Sequence, residues 1–189
     1  MQTVVQKIDI SPVTWELNNG RLFSFAVARL DALHPFVSGN KYFKLKYNLQ
    51  KVVRENKQGI VTMGGAYSNH LAATAWACYE NELTSVGIIR GDLTQPLNQT
   101  LSFCEQHGMK LIAVDRNQYY RSSAVVQEII REHNQLFFIP EGGDNAEGLQ
   151  GCTEILSLLA DPDSYTHVVC CMGTGTTFRG ICRGASSQQ

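Results

Sequence analysis

A lysine with surroundings suited to Schiff-base chemistry stands at the start of an amphipathic segment. Lys41 follows the tripeptide SGN and opens the run YFKLKYNLQKVV, roughly in line with Leu45 and Val52. In the first turn of a helix, the positive end of the helix dipole and partial burial both lower the pKa of an amine. Lys46 flanks the same apolar face, and the spacing alone also fits an ordinary solvated lysine. The pattern therefore makes Lys41 a candidate for Schiff-base chemistry but does not rule out Lys46 or an ordinary solvated lysine.

A serine and an asparagine follow a pair of glycines between a strand-like and a helix-like run. The segment GGAYSNH joins GIVTM to LAATAWAC and puts Ser68 and Asn69 at the predicted helix N-terminus. Either residue could be a simple N-cap, and the same position also offers a hydroxyl and a carboxamide to a ligand. His70 receives no role, because a histidine at a helix start is more often a structural hydrogen-bonding residue.

The third candidate is a glycine and threonine loop that follows the apolar run VVCCM. Backbone N–H groups and threonine hydroxyls at such a strand-to-helix turn can all point at one anion. The loop lacks the Lys-Ser/Thr pair of a Walker loop and the third glycine of a dinucleotide fingerprint, so a monophosphate fits it best. A plain glycine turn remains the alternative. The loop consists of Gly173, Thr174, Gly175, Thr176 and Thr177.

These candidates need a scaffold, and short apolar β-rich runs alternate with longer helical patterns along most of the chain. The strand bodies are apolar throughout, as expected when helices cover both faces of a parallel sheet. The sequence therefore predicts an α/β fold with glycine loops at the carboxyl ends of its strands, where such folds bind ligands. Strands are predicted at residues 22–30, 59–63, 85–89, 110–114, 136–139 and 167–171, and helices at 40–56, 69–81, 97–107, 122–133 and 146–160.

Composition argues against several classes of partner. With 16 Lys and Arg against 17 Asp and Glu, the chain has a formal charge of −1 and offers no basic field to nucleic acid or an anionic membrane. No two of its six cysteines have the two-residue spacing of a metal site, so we predict none. The sequence shows neither a charged leader followed by an apolar stretch nor a bilayer-length apolar run, which makes the cytoplasm the expected location.

Four ordered motifs together resemble a known family. The segments HPFVSGNKYFKLKYNL, TMGGAYSNHLAATA, PEGGDNAEGLQG and GTGTT are similar to those of the 1-aminocyclopropane-1-carboxylate deaminase/D-cysteine desulfhydrase family, which has the tryptophan-synthase-β-like fold. That family uses pyridoxal 5′-phosphate and acts on small amino acids. The resemblance covers nearly all of residues 21–180. It implies ring opening of 1-aminocyclopropane-1-carboxylate to 2-oxobutanoate and ammonia, or desulfhydration of D-cysteine.

The resemblance also implies roles for individual residues. Lys41 matches the lysine that forms the internal aldimine with the cofactor, Ser68 the serine that acts on substrate, and Asn69 the asparagine that bonds the ring hydroxyl of the cofactor. Residues 173–177 match the phosphate-binding loop. For a complete chain, the resemblance implies a homodimer. It also implies a larger domain, to which residues 1–50 and 141–189 belong, and a smaller one at 51–140.

Two departures from the family pattern leave an alternative open. The family loop usually carries glycine where this chain has Thr176, and a threonine held at positive φ would cost about 1 kcal/mol or more. Family members also continue well beyond this loop, so the large domain is expected to be incomplete. The alternative is a truncated, non-catalytic fragment that binds the cofactor weakly or not at all. A nucleotide-binding module is a weaker alternative, since it leaves the SGNK and GAYSNH segments unused.

Overall fold

A four-stranded parallel sheet is the centre of the structure, which is a computed structural model describing residues 7–186. Its strand order is β5-β4-β3-β6, and a separate antiparallel hairpin is formed by β1 and β2. Short 3-10 turns lie at Leu30–Leu33, Glu141–Gly143, Leu156–Leu158 and Pro162–Ser164. The strands are β1 Ile10–Glu16, β2 Leu22–Ala28, β3 Gly59–Gly65, β4 Thr84–Arg90, β5 Met109–Val114 and β6 Phe137–Ile139; the helices are α1 Asn40–Arg54, α2 Asn69–Glu80, α3 Gln99–Gln106, α4 Ala124–Glu132, α5 Ala146–Thr153 and α6 Thr176–Ser186.

Helices cover both faces of the parallel sheet. Ile88 of β4 packs in a cluster with Val126 of α4, whereas its neighbour Ile89 packs with Leu71 of α2 and Leu101 of α3. Successive side chains of a strand point to opposite faces, so α4 lies on one side and α2 and α3 on the other. All of these residues are buried. The predicted α/β class, with a parallel sheet between helices, is confirmed.

Four of the predicted strands form this sheet, and two predictions differ from the structure. The segment predicted at residues 22–30 is a strand, but it pairs antiparallel with β1, which the pattern did not reveal. The strand predicted at 167–171 is wrong: this segment forms no strand in the structure, and Val169 is 93% exposed. A strand needs a neighbour for its N–H and C=O groups. Within the described residues, none lies beside this segment.

Close packing of three helices brings the ends of α1 and α6 to the same place. Gly151 of α5 lies against the backbone of Phe43 in α1, where a Cβ would come within 1.9 Å of the Phe43 carbonyl oxygen. Gly180 of α6 similarly lies against Cys152, whose Cβ would be 2.3 Å from an added methyl group. Glycine permits both approaches. The helix predicted at 146–160 is shorter in the structure: it ends at Thr153, and a 3-10 turn follows at Leu156–Leu158.

Candidate active site

A cavity of about 720 Å³ lies where the first turns of α1, α2 and α6 meet the turn that follows β6. This volume lies within the range of roughly 300–1,000 Å³ that is usual for small-molecule sites. The three segments nominated from the sequence therefore converge, although they are far apart along the chain. The cavity is lined by residues 36, 38–41, 44, 68–70, 72, 141, 142, 171–175, 177 and 178.

Lys41 lies in the first turn of α1 and lines the cavity. Burial, and secondarily the charge of Lys44, lowers the pKa of the Lys41 amine from 10.5 to about 8. In the described part of the chain, no acceptor bonds this amine. A lysine of this kind is deprotonated in a useful fraction of molecules near neutral pH, which is what nucleophilic attack on an aldehyde requires.

A second lysine of the cavity is held by the backbone. Lys44 is 2% exposed, and its amine donates a 2.8 Å hydrogen bond to the carbonyl oxygen of Gly142. Burial lowers the pKa of Lys44 as well. Lys46, the alternative that the sequence left open, does not line the cavity and instead forms a 2.5 Å ion pair with Glu154. Lys41 is thus the unbonded amine of the three.

Ser68 and Asn69 begin α2 at the cavity wall. Ser68 is the N-cap: its Oγ accepts a 3.3 Å hydrogen bond from the backbone N–H of Leu71. Its own hydroxyl hydrogen remains available to a ligand, so the capping interpretation and the ligand-binding interpretation are compatible. Asn69 is exposed, with its carboxamide next to the same space.

The glycine and threonine loop also lines the cavity. Gly175 has φ +82°, and a Cβ placed at either Gly173 or Gly175 would meet no atom within 4 Å. Thr176 is the first residue of α6. The left-handed conformation therefore falls on Gly175, and the strain of a threonine held at positive φ does not arise. The loop presents open backbone at a helix N-terminus, which suits an anion.

Hydrogen bonds within the protein already use the threonine hydroxyls of this loop, and one of them is bonded to a carboxylate. Thr176 does not line the cavity; it is fully buried, and its hydroxyl donates a 2.6 Å hydrogen bond to Asp144. Thr174 must then donate to Thr176, 2.9 Å away. Arg179 forms an ion pair with the same Asp144 carboxylate. At Thr177, the hydroxyl accepts a 2.8 Å bond from Asn40, which ties α6 to the start of α1.

Among the cavity residues that sequence reasoning missed, Lys44 and His70 bear on the chemistry of Lys41. Lys44 is three positions after Lys41, and residues at this spacing share a helix face, so the spacing could have indicated it. His70 is 1% exposed and lines the cavity, although it received no role. Burial, followed by the charges of Lys41 and Lys44, lowers the pKa of His70 to about 3. Nothing in the local sequence distinguishes this histidine from a structural one.

Comparison with known proteins agrees with this geometry. A family model described as pyridoxal-phosphate dependent enzyme matches residues 18–189. The chain belongs to this family. A protein from Thermotoga maritima named after 1-aminocyclopropane-1-carboxylate deaminase is 30% identical over 171 residues, which cover 87% of this chain and 54% of that relative. The resemblance to the deaminase and desulfhydrase proteins is therefore confirmed, as is pyridoxal phosphate as the cofactor of the family.

Two further comparisons extend this result. An Arabidopsis thaliana protein, named as a mitochondrial bifunctional D-cysteine desulfhydrase/1-aminocyclopropane-1-carboxylate deaminase, is 27% identical over 79% of this chain and 42% of its own length. A crystal structure of an ACC deaminase homologue superposes with a TM-score of 0.72 at 22% identity, over 86% of this chain and 51% of that one. At this level of identity, the superposition on the crystal structure shows a shared fold and nothing further. The chain spans about half the length of these relatives.

The donor set of the cavity fits pyridoxal phosphate. An aldehyde requires a reactive amine, which Lys41 supplies, and a phosphate requires convergent donors and positive charge. Lys44 lies beside the loop: its amine bonds the carbonyl of Gly142, and a Cβ on Gly142 would be 3.0 Å from the Thr174 methyl group. Among the residues described, no cluster of three His, Cys, Asp or Glu side chains could hold a metal ion.

Proposed function

We propose that this chain holds pyridoxal 5′-phosphate covalently at Lys41 and acts as a deaminase or lyase on a small amino acid. The candidate reactions are ring opening of 1-aminocyclopropane-1-carboxylate and desulfhydration of D-cysteine. One observation carries the proposal: the unbonded amine of Lys41, with its pKa lowered to about 8, lines the same cavity as the open N-terminus of α6.

The phosphate side of the site is assigned to the loop and to Lys44. The N–H groups around Gly173 and Gly175 are open to the cavity. Lys44 adds a buried positive charge next to them. Because a buried charge is screened less by water than an exposed one, Lys44 contributes more to anion affinity than a surface lysine would. We propose Asn69 as a hydrogen-bonding partner of the cofactor ring.

The chemistry divides between two side chains. The bound cofactor supplies an electron sink that stabilises negative charge at the substrate α-carbon. Lys41 Nζ would hold the cofactor and, when free, would move protons: at the α-carbon of D-cysteine, or at the other ring carbons of 1-aminocyclopropane-1-carboxylate, whose α-carbon bears no hydrogen. Its lowered pKa suits both taking and giving a proton near neutral pH. Ser68 Oγ, which accepts a hydrogen bond from the N–H of Leu71 and lines the cavity, would offer its hydroxyl to the substrate.

A second candidate function is cofactor binding without turnover. The observation that favours it is an apolar segment left uncovered at the rim of the cavity. Met172 lines the cavity and is 72% exposed, and Val169 nearby is 93% exposed. A site with such a rim admits water, which weakens every electrostatic interaction in it and favours side reactions.

Borohydride reduction in the presence of pyridoxal 5′-phosphate tests the first part of the proposal. We expect peptide mass spectrometry to find the mass of the reduced cofactor on Lys41. In the matched variant Lys41→Met, no site should be labelled to a comparable extent. Lys46→Met serves as the control and should label as the wild type does. Labelling that falls on Lys44 or Lys46, with Lys41 unmodified, would contradict the assignment.

Turnover separates the two candidate functions. The cofactor-loaded chain is incubated with 1-aminocyclopropane-1-carboxylate and with D-cysteine, and release of 2-oxobutanoate, ammonia and sulfide is measured. Release that depends on Lys41 supports the enzyme. Labelling at Lys41 without release of any product supports binding alone.

Several other features predicted from the sequence remain proposals. We retain the division into a larger domain, residues 1–50 and 141–189, and a smaller one, residues 51–140. A homodimer of the complete protein and a cytoplasmic location are also retained, although the name of the Arabidopsis relative places that protein in mitochondria. In the described part of the chain, no helix combines the length and apolar character needed to cross a membrane.

A further inference from the structure

A buried histidine in the cavity wall has one ring nitrogen bonded and the other without a partner. The ring Nε2 of His70 lies 3.1 Å from Thr62 Oγ1. The Thr62 hydroxyl in turn donates a 2.7 Å bond to the carbonyl oxygen of Ile139. His70 Nδ1 is shielded from solvent and has no hydrogen-bond partner among residues 7–186. Such an orphaned acceptor inside a protein is uncommon and calls for a physical explanation.

The hydrogen bonds around Thr62 fix the tautomer of His70. A carbonyl oxygen only accepts, so the single hydroxyl hydrogen of Thr62 is committed to Ile139. Thr62 Oγ1 can then only accept from the ring, which places the ring proton on Nε2. Burial, followed by the charges of Lys41 and Lys44, lowers the pKa of His70 to about 3, so the ring is neutral. Nδ1 therefore carries a lone pair and no proton.

The same cavity contains an unbonded donor. The Lys41 amine has no acceptor among residues 7–186, and its charge is the larger of the two lysine influences on His70. Lys44 already donates to Gly142. The ring lies close to the turn that follows β6: a Cβ added at Gly143 would be 3.4 Å from His70 Cε1.

We propose that His70 Nδ1 is the hydrogen-bond acceptor for the amine of Lys41 in the cofactor-free chain, which makes His70 a positioning residue for that amine. Both residues line the same cavity, and a bond between them would satisfy both orphaned groups. The bond would orient the Lys41 amine before it meets an aldehyde, and would stabilise its ammonium form. This inference concerns the chain without cofactor and stands even if the cofactor attaches elsewhere.

The ring nitrogens of His70 give a direct test that needs no activity. In ¹⁵N-histidine-labelled protein, with the His70 signals assigned through His70→Gln, we expect Nε2 to be protonated and Nδ1 not. Lys41→Met should shift the Nδ1 resonance, whereas the matched variant Lys46→Met should leave it in place. A proton on Nδ1, an Nδ1 signal indifferent to Lys41→Met, or a shift caused by Lys44→Met alone would overturn the proposal.

The pH profile of Lys41 provides a second readout that a purely structural role would not change. Trace labelling with an amine reagent gives the titration midpoint of Lys41 by mass spectrometry. In Thr62→Val, the Nε2 proton loses its acceptor and the ring can take the other tautomer, so the midpoint should fall by roughly half a pH unit. Thr74→Val is the matched control, because Thr74 is fully buried and its hydroxyl has no partner in the described part of the chain. Equal midpoints in the two variants would refute the proposed role.

Discussion

The Lys44 amine is bonded to the carbonyl oxygen of Gly142 at 2.8 Å, while the neighbouring Lys41 amine, one helical turn earlier, has no acceptor among the described residues. The amines of Lys41 and Lys44, on one face of the same helix, thus have different hydrogen-bonding states. Lys44 is fixed, so its charge stays at one side of the cavity and depresses the pKa of Lys41. Within the described residues, Lys41 has no such bond to the backbone, so its amine is available to an aldehyde.

The first prediction follows from this arrangement. Lys44→Met removes the buried charge and should raise the pKa of Lys41, because Lys44 is the second cause of its depression after burial. The titration midpoint of Lys41, measured by trace amine labelling, should therefore move to higher pH. Lys46→Met is the control, since Lys46 is paired with Glu154 outside the cavity. A midpoint that stays the same in Lys44→Met would show that burial alone sets it.

The second prediction concerns the stability of the chain at alkaline pH. The pKa of Lys41 is about 8 in the folded chain and 10.5 as the ordinary value. Between these values the unfolded chain binds more protons, so this residue makes the free energy of unfolding rise with pH. Relative to Lys41→Met, the wild type should gain about 1 to 2 kcal/mol between pH 8 and 10.5, allowing for solvent screening.

Urea unfolding of both proteins at pH 7.5 and pH 10.5 measures this difference. The comparison with Lys41→Met cancels the contributions of the other titrating groups, provided that the variant keeps the same fold. If the wild type instead lost stability relative to the variant over this interval, Lys41 would have to be paired with an anion in the folded chain.

A third prediction separates the two glycines of the loop. Gly175→Ala forces an alanine into φ +82° and should cost about 1 to 2 kcal/mol in free energy of unfolding. Gly173→Ala is the matched control: its added methyl group also meets open space, but no positive φ is required there. We expect it to change stability by less than about 0.5 kcal/mol. Thermal or urea unfolding of the pair measures both effects, and equal costs would contradict the assigned loop conformation.

Much of the fold could be predicted from the sequence because its strands are buried on both faces. Val61 and Ile88 belong to continuous apolar runs, and such runs between helical patterns are typical of a parallel sheet. The hairpin strand β1 was missed because its alternation includes Pro12 and gives exposed residues such as Trp15, 65% exposed. The strand predicted near Val169 failed for a different reason: pairing depends on a neighbour, which local composition does not specify.

The site was predictable to a similar degree and for a related reason. Lys41, Ser68 and Gly175 could be nominated because each stands where a helix begins, a position that the sequence marks. Tertiary packing produces the other two features of the site: the hydrogen bond from Lys44 to the backbone, and the ring nitrogen of His70 that has no partner among the described residues. No pattern within α1 or α2 encodes either of them.

The last prediction asks what Ser68 does beyond capping α2. Ser123 caps α4 in the same way, with its Oγ 3.2 Å from the N–H of Val126, and it does not line the cavity. Ser68→Ala and Ser123→Ala should therefore each lower the free energy of unfolding by about 1 kcal/mol. If Ser68 also acts on substrate, only Ser68→Ala should slow the spectral change that D-cysteine or 1-aminocyclopropane-1-carboxylate produces in the cofactor-loaded chain, by about 100-fold or more. Equal rates in the two variants would show that Ser68 serves only as a helix cap. If instead only Ser68→Ala reacts more slowly while the two variants are equally stable, the loss of rate must come from the position of Ser68 in the cavity.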